Sequence, residues 1–403
     1  MPSRRWLLAG AGSVLTALVG GHAVAGRTRS DGDSVHWPMA RYDAAGTGHS
    51  PDASGPKDAV RVAWERELDT SFSGAVSPIL FEGTLYAVGG PVVALEAETG
   101  ELEFTHDGPY RSSPAPAATD VYRTDTLAIS SPAGVVGLNA GGGYRIPLLG
   151  GRVGVDRWHG PGEDPDRSPL GPPDAPPPVA VDDAIYAAVP GTNDLVALEA
   201  TDGTERFRVS HGAGSGNWRP AVRNDTVYAV GYARELGAYD AETGENHWTV
   251  EIDDLTPHAP TVTDEVVVVP GRESVTAVEV DDGSVRWEYD HDGNVSPPDR
   301  SDAAVADGRV FVADGTGSLH AIDLESGEER WTASVGGQAS PVVADGVVYL
   351  TRRTVSVYAF DAETGEERWE YDLERPTSAP AVGDGRLYLV GSRRIVALEE
   401  GDR

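Results

Sequence analysis

Asp290-His291-Asp292-Gly293-Asn294 has the alternating oxygen-bearing side chains and internal glycine of a calcium loop. The later glutamate ligand is missing, so the stretch reads as a polar loop after a strand. The sequence has no Gly-x-Ser-x-Gly elbow, no His-Glu-x-x-His pair and no phosphate loop, and its 10 histidines lack metal-ligand spacing. It has no cysteine, which removes disulfides, thiolate zinc sites, cysteine nucleophiles and a lipid-bearing cysteine. Gly212-Ala213-Gly214-Ser215-Gly216 is glycine-rich but opens no helix, so it is a connection. No catalytic residue and no metal ligand is assigned.

The charges exclude other roles. Lys+Arg is 32 and Asp+Glu is 64, a net charge of −32. Such a field repels nucleic acid and anionic lipid, so neither is an expected partner. Lys57 is the sole lysine. Dense carboxylates with almost no lysine fit a halophilic, haloarchaeal protein, because salt cuts the Debye length to about 3 Å at 1 M.

Residues 1–25 read as a targeting segment. Ser3-Arg4-Arg5-Trp6-Leu7-Leu8 resembles a twin-arginine export signal, and Trp6–Gly21 is short and glycine-rich for a membrane span. Ala23-Val24-Ala25 fits a cleavage site, so an extracellular or cell-surface location without stable membrane insertion is expected. Asn224-Asp225-Thr226 and Asn294-Val295-Ser296 are glycosylation sequons on expected loops.

The elements behind these residues show as a repeat. Ala94-Leu95-Glu96 leads to Thr99-Gly100 and Phe104. The phrase returns at Ala197 with Gly203 and Phe207, Ala238 with Gly244 and Trp248, and Ala277 with Gly283 and Trp287. It returns again at Ala321 with Gly327 and Trp331, and at Ala359 with Gly365 and Trp369. A degenerate copy runs from Gly137 to Gly143, with Pro147 at the aromatic position, and a last one stops at Ala397-Leu398-Glu399. The turn glycines lie 43, 60, 41, 39, 44 and 38 residues apart, the period of propeller blades. Each unit reads as four strands, with pairs such as Asp345-Gly346 supplying hairpin turns. The eighth unit lacks its fourth strand, and Val60–Glu67, with Trp64, reads as that strand. An all-β, eight-bladed propeller of four-stranded antiparallel blades is expected, closed by the N-terminal strand pairing into the last blade. Its bounds are residues 60–403, after a lead-in segment over 26–59.

The Ala-x-Asp/Glu-x-x-Thr-Gly-x-x-x-Trp phrase resembles the tryptophan-docking repeat of the pyrroloquinoline-quinone (PQQ) propeller family. Trp37-Pro38-Met39-Ala40-Arg41-Tyr42-Asp43, ending Thr47-Gly48, resembles that family's lead-in. The resemblance implies that Trp64, Phe104, Phe207, Trp248, Trp287, Trp331 and Trp369 dock between neighbouring blades. Quinoprotein alcohol dehydrogenases in the family carry a vicinal disulfide against the cofactor, with Ca²⁺ ligands and a catalytic Asp on insertions. This sequence cannot make the disulfide and matches none of those ligands, so no cofactor is expected. The BamB-like members imply a non-catalytic scaffold binding other proteins, here expected as a monomer. A PQQ-dependent dehydrogenase and a surface sensor or carbohydrate-binding module are the alternatives.

Loop placement adds a docking hypothesis. The turns between strands one and two and between three and four share a face and are rich in Asp and Glu. The loops between strands two and three, on the other face, hold Arg234, Arg272, Arg352, Arg353, Arg393 and Arg394. Either these arginines form a basic rim for an anionic partner, or they are solvated or paired locally. The Pro/Gly-rich insertion 150–178 is expected as a loop on that same face, either extending the binding surface or serving as a linker.

Overall fold

The computed structural model describes residues 36–402, apart from 69–71, 73–75, 147–150, 163–174, 212–217, 232–233, 255, 294–301, 336–339, 352–354 and 376. The targeting segment with Arg4 and Arg5, together with Arg352, Arg353 and Asn294, lies outside the described residues.

Eight blades of four antiparallel strands follow one another, and His49–Ser50 of the lead-in adds a short parallel strand to the inner edge of blade 7. Blade 1 runs Ile79–Phe81, Thr84–Val88, Gly90–Glu96 and Leu102–Tyr110. Blade 6 repeats the plan with Ala304–Ala306, Arg309–Ala313, Ser318–Asp323 and Glu329–Ser334. In blade 8, Ala381–Gly383, Arg386–Val390 and Arg394–Glu400 are completed by Val60–Glu67, which pairs antiparallel with Arg394–Glu400. The inner strands of blades 1 and 8 touch, closing the ring. Closure pairs Arg394–Glu400 on both sides and completes the sheet of blade 8.

The middle strands are buried throughout, as Leu85–Val88 and Leu319–Ile322 illustrate, so the core is a ring of inter-sheet layers. Tight first turns use positive φ at Glu82-Gly83, Asn224-Asp225, Asp307-Gly308, Asp345-Gly346 and Asp384-Gly385, as two-residue hairpins require.

The docking residue of each blade sits opposite a small one. Phe104 pairs across the strands with Ala94, Phe207 with Ala197, Trp248 with Ala238 and Trp287 with Ala277. Trp331, Trp369 and Trp64 face Ala321, Ala359 and Ala397. Each of these aromatics except Trp369 then leans onto the turn glycine of the following blade. A Cβ on Gly283 would stand 2.7 Å from Trp248, and one on Gly365 would stand 2.6 Å from Trp331. The indole N–H closes the joint on a carbonyl of that turn: Trp64 on Ala97 (3.0 Å), Trp248 on Val280 (2.9 Å), Trp287 on Leu324 (2.9 Å) and Trp331 on Ala362 (3.2 Å). Blade 8 has no such turn, because the chain end interrupts it. Trp369 bonds instead to the carbonyl of Pro56 in the lead-in segment (3.0 Å).

Blade 2 corrects the sequence reading. Its aromatic is Trp158, on the fourth strand Asp156–His159, and not the Pro147 position. Trp158 faces Gly137, bonds the Ala200 carbonyl (2.9 Å) and packs on Gly203 of blade 3. The turn glycine that receives Phe104 is Gly142 rather than Gly143. Residues 150–178 are therefore not one loop after the blade. A hairpin, Tyr144–Ile146 with Gly151–Val153, is inserted between strands three and four, which is the opposite face from the one expected. Past His159, Gly160 and Gly162 lie against Val135 and Ala133 on the crossover side.

Candidate functional site at the axis of the disc

The lead-in segment builds the axis. Inner strands present N–H groups toward the axis, and a buried N–H needs an acceptor. The carbonyls of Ala44, Ala45, Thr47 and Gly48 accept the amides of Val222, Val262, Val305 and Val343 in blades 4, 5, 6 and 7. Ser54 accepts Gly385 N–H of blade 8, and Trp37 exchanges backbone bonds with Leu80 of blade 1. One segment thus ties six blades together. Asp43 shapes its turn by accepting Thr47 N–H (2.8 Å) and the Thr47 hydroxyl (2.9 Å).

Two arginines stand in this core. Arg41 Nη2 donates to the carbonyls of Ala303 (2.8 Å) and Pro341 (2.7 Å) in blades 6 and 7. Arg219 donates from Nη1 to Pro220 and from Nη2 to Pro260, both at 3.0 Å. The guanidinium groups lie against glycines of the lead-in. A Cβ on Gly48 would fall 2.2 Å from Arg41 Nη2, and one on Gly46 would fall 2.3 Å from Arg219 Nη2. Both glycines have positive φ, so glycine is required twice over. Burial pulls the Arg41 guanidinium down to about 10, against the opposing pull of Asp302. Burial lowers Arg219 too.

Above these arginines lies a cavity of about 220 Å³ with Ala40 and Arg41 in its wall. The residues just ahead of the inner strand in every blade line the rest, from Ser77 through Ser113, Pro177, Arg219, His258, Asp302 and Ser340 to Ala379. Trp218 packs on His258 with ring centres 5.2 Å apart. The motif over 37–48 was visible in the sequence as a lead-in. Its arginine gave no sign of being axial, because the carbonyls that hold it come from the backbone of distant blades.

The other predicted residues are not brought together. Arg234 bonds Glu251 (2.5 Å), Arg272 lies 3.7 Å from Glu273, and Arg394 pairs with Glu65 (3.0 Å) and with the Leu373 carbonyl. Arg393 is exposed, its carbonyl accepting Leu68 N–H. The turn face is not purely acidic either. Arg206, Arg286, Arg330 and Arg368, each just before a docking aromatic, bond Glu199, Glu279, Asp323 and Asp361 across the hairpin. Asn224 sits on the exposed first turn of blade 4, with Nδ2 3.4 Å from Asp264 Oδ1.

A PQQ enzyme would need donors for a metal beside the cofactor. Among the described residues no group of three or more His, Asp or Glu is placed to hold one. The axial cavity offers one carboxylate and two arginines that already bond the scaffold. The residues present do not fit that cofactor–metal pair, and no step is derived through it. Among the described residues no helix is long and apolar enough to cross a membrane.

The family described as "Outer membrane protein assembly factor BamB" matches residues 150–294, 191–335 and 294–402. The serine/threonine-protein kinase AfsK of Streptomyces griseus is 33% identical over 129 residues, which is 30% of this chain and 16% of the kinase. BamB from Moraxella catarrhalis superposes with a TM-score of 0.62 at 14% identity, over 86% of this chain and 99% of that one. The quinohemoprotein alcohol dehydrogenase from Comamonas testosteroni gives a TM-score of 0.69 at 12% identity, over 91% and 81%. At such identities these structures establish the shared propeller fold.

Proposed function

This chain belongs to the BamB outer membrane protein assembly factor family, and from that premise we propose that it is a non-catalytic propeller scaffold that binds other proteins at the cell surface. Family membership carries the reading. The chemistry of the axis supports it: Arg41 and Arg219 each hold two backbone carbonyls of the ring. The twin-arginine-like start and the excess of carboxylates support export into a salty exterior, in a haloarchaeal setting. The crossover face, with exposed Arg393, is the docking side we assign.

Affinity capture from the native host in high salt tests the scaffold. A discrete protein partner is expected, and its capture should fall when Arg352, Arg353, Arg393 and Arg394 are changed together to Ser. Capture unchanged by that variant would remove the assigned face.

The superposition on a quinohemoprotein dehydrogenase favours a second reading, a PQQ-dependent dehydrogenase. Incubation with PQQ and Ca²⁺ should give no dye reduction with alcohols or sugars; clear turnover would replace the scaffold by the enzyme.

A further inference from the structure

We propose that the axial cavity is a binding site for a small oxyanion, a carboxylate or phosphate group held between Arg41 and Arg219. Arg41 is 3% exposed, and both its Nε and Nη1 lack a hydrogen-bond partner. Arg219 is 4% exposed, and its Nε lacks one. Both arginines line the same cavity of about 220 Å³.

Buried N–H groups without partners are costly, and those of a guanidinium more so. Two like charges near one another deepen the cost; Arg219 further lowers the proton affinity of Arg41, already cut by burial. The protein holds both in place all the same. Arg41 is fixed by two carbonyls and by Gly48, and Arg219 by two carbonyls and by Gly46. The remaining donors belong to planar forks, which match the oxygens of a carboxylate or phosphate. A single water could accept bonds but would bring no charge to the paired arginines. Asp302, at the cavity wall, and Asp43, in the lead-in turn, answer part of that charge. The site is independent of the scaffold reading, since it needs no protein partner.

Calorimetric titration of the full chain at fixed ionic strength, with inorganic phosphate and separately with acetate, tests the proposal. At least one should bind saturably to a single site, and which one does so identifies the source of the group. Arg219→Gln should weaken that binding by about tenfold or more. Asp302→Asn should tighten it by several-fold, because it deletes the competing negative charge while keeping the side chain's shape. Arginines with only a structural role would give no such tightening, and this second variant leaves the guanidinium contacts intact should Arg219→Gln fail to fold. Absence of saturable binding to the natural chain, or binding that Asp302→Asn leaves unchanged, overturns the proposal.

Discussion

Blades 2 and 6 make the same inter-blade joint from differently arranged chain. In blade 6 the third strand ends at Asp323, four residues before Gly327, and Trp331 follows four residues later. Asp323 holds that turn by accepting Ser326 N–H and the Ser326 hydroxyl, and it pairs with Arg330 at 2.5 Å. In blade 2 the carboxylate is replaced by Asn139, and a hairpin separates Gly142 from Trp158. Arg157, the counterpart of Arg330, turns to neutral partners: the Thr126 hydroxyl (2.5 Å), the Thr124 carbonyl (2.7 Å) and the Tyr122 ring at 4.2 Å. Both arrangements deliver an indole onto the next blade's glycine. The joint therefore depends on where the aromatic arrives, not on how much chain it takes to bring it there.

The largest expected break in this comparison is Trp158→Ala. Losing a buried tryptophan of this kind costs roughly 3–5 kcal/mol. Trp158 is 6% exposed, and Trp331 is less buried, so Trp158→Ala should lower the unfolding midpoint at least as much as Trp331→Ala. A loss below about 1 kcal/mol, in the range of ordinary surface changes, would show that blade 2 is not docked through this residue.

The same tryptophan marks how far the sequence could be read. Six copies of one phrase and an orphan strand at Val60–Glu67 are enough for eight blades and their closure, because hairpin turns and cross-strand Ala–Trp pairs are local. Measuring a fixed distance from the turn glycine lands on Pro147, because an inserted hairpin changes spacing without changing the joint. A better signal was present: Arg157-Trp158 repeats the dipeptide of Arg286-Trp287, Arg330-Trp331 and Arg368-Trp369. The axial arginines had no comparable signal. Arg219 is far from Arg41 in the chain, and what unites them is the path of a lead-in backbone through the ring. Of the two readings of the loop arginines, a basic rim or local pairing, Arg234 and Arg394 have carboxylates close by.

Acid should separate the two blades next. The loop between strands two and three of blade 6 is built on Asp314. Burial would raise that carboxyl, but N–H groups of Ser318, Gly317 and Thr316 outweigh it and hold it down to about 2. A carboxyl depressed in the fold contributes stability that is complete above its ordinary value near 4 and is lost as pH falls toward 2. In blade 2 the corresponding loop uses the Ser131 hydroxyl, which bonds the Gly134 carbonyl and does not titrate there. Unfolding followed from pH 5 to pH 2 should be flatter for Asp314→Asn than for the natural chain by roughly 2 kcal/mol. Ser131→Ala should shift the whole curve without changing its slope. Equal slopes for Asp314→Asn and the natural chain would remove the carboxylate's role.

The smallest effect sharpens what the hairpin contributes. Arg152, on its second strand, lies over the Phe104 ring at 5.2 Å and donates to the carbonyls of Glu103 (3.0 Å) and Gly142 (3.2 Å). It thus clamps the joint between blades 1 and 2 from outside, at the turn where blade 6 relies on Asp323. Phe104 has no N–H to close its own joint, unlike the indoles elsewhere, so the clamp supplies the polar contact that the phenyl ring cannot. Arg152 is itself partly exposed, and a cation over a ring at such a partly solvated site is worth about 0.5–1 kcal/mol. Arg152→Ala should therefore lower the unfolding midpoint slightly, and Arg152→Lys should recover only part of it, because lysine keeps the charge over the ring but not the fork that spans two carbonyls. Combining Arg152→Ala with Phe104→Trp should cancel much of the loss if the new indole reaches a carbonyl of the blade 2 turn. Additive, uncompensated losses in that double variant would show the clamp acting on the hairpin alone rather than on the joint.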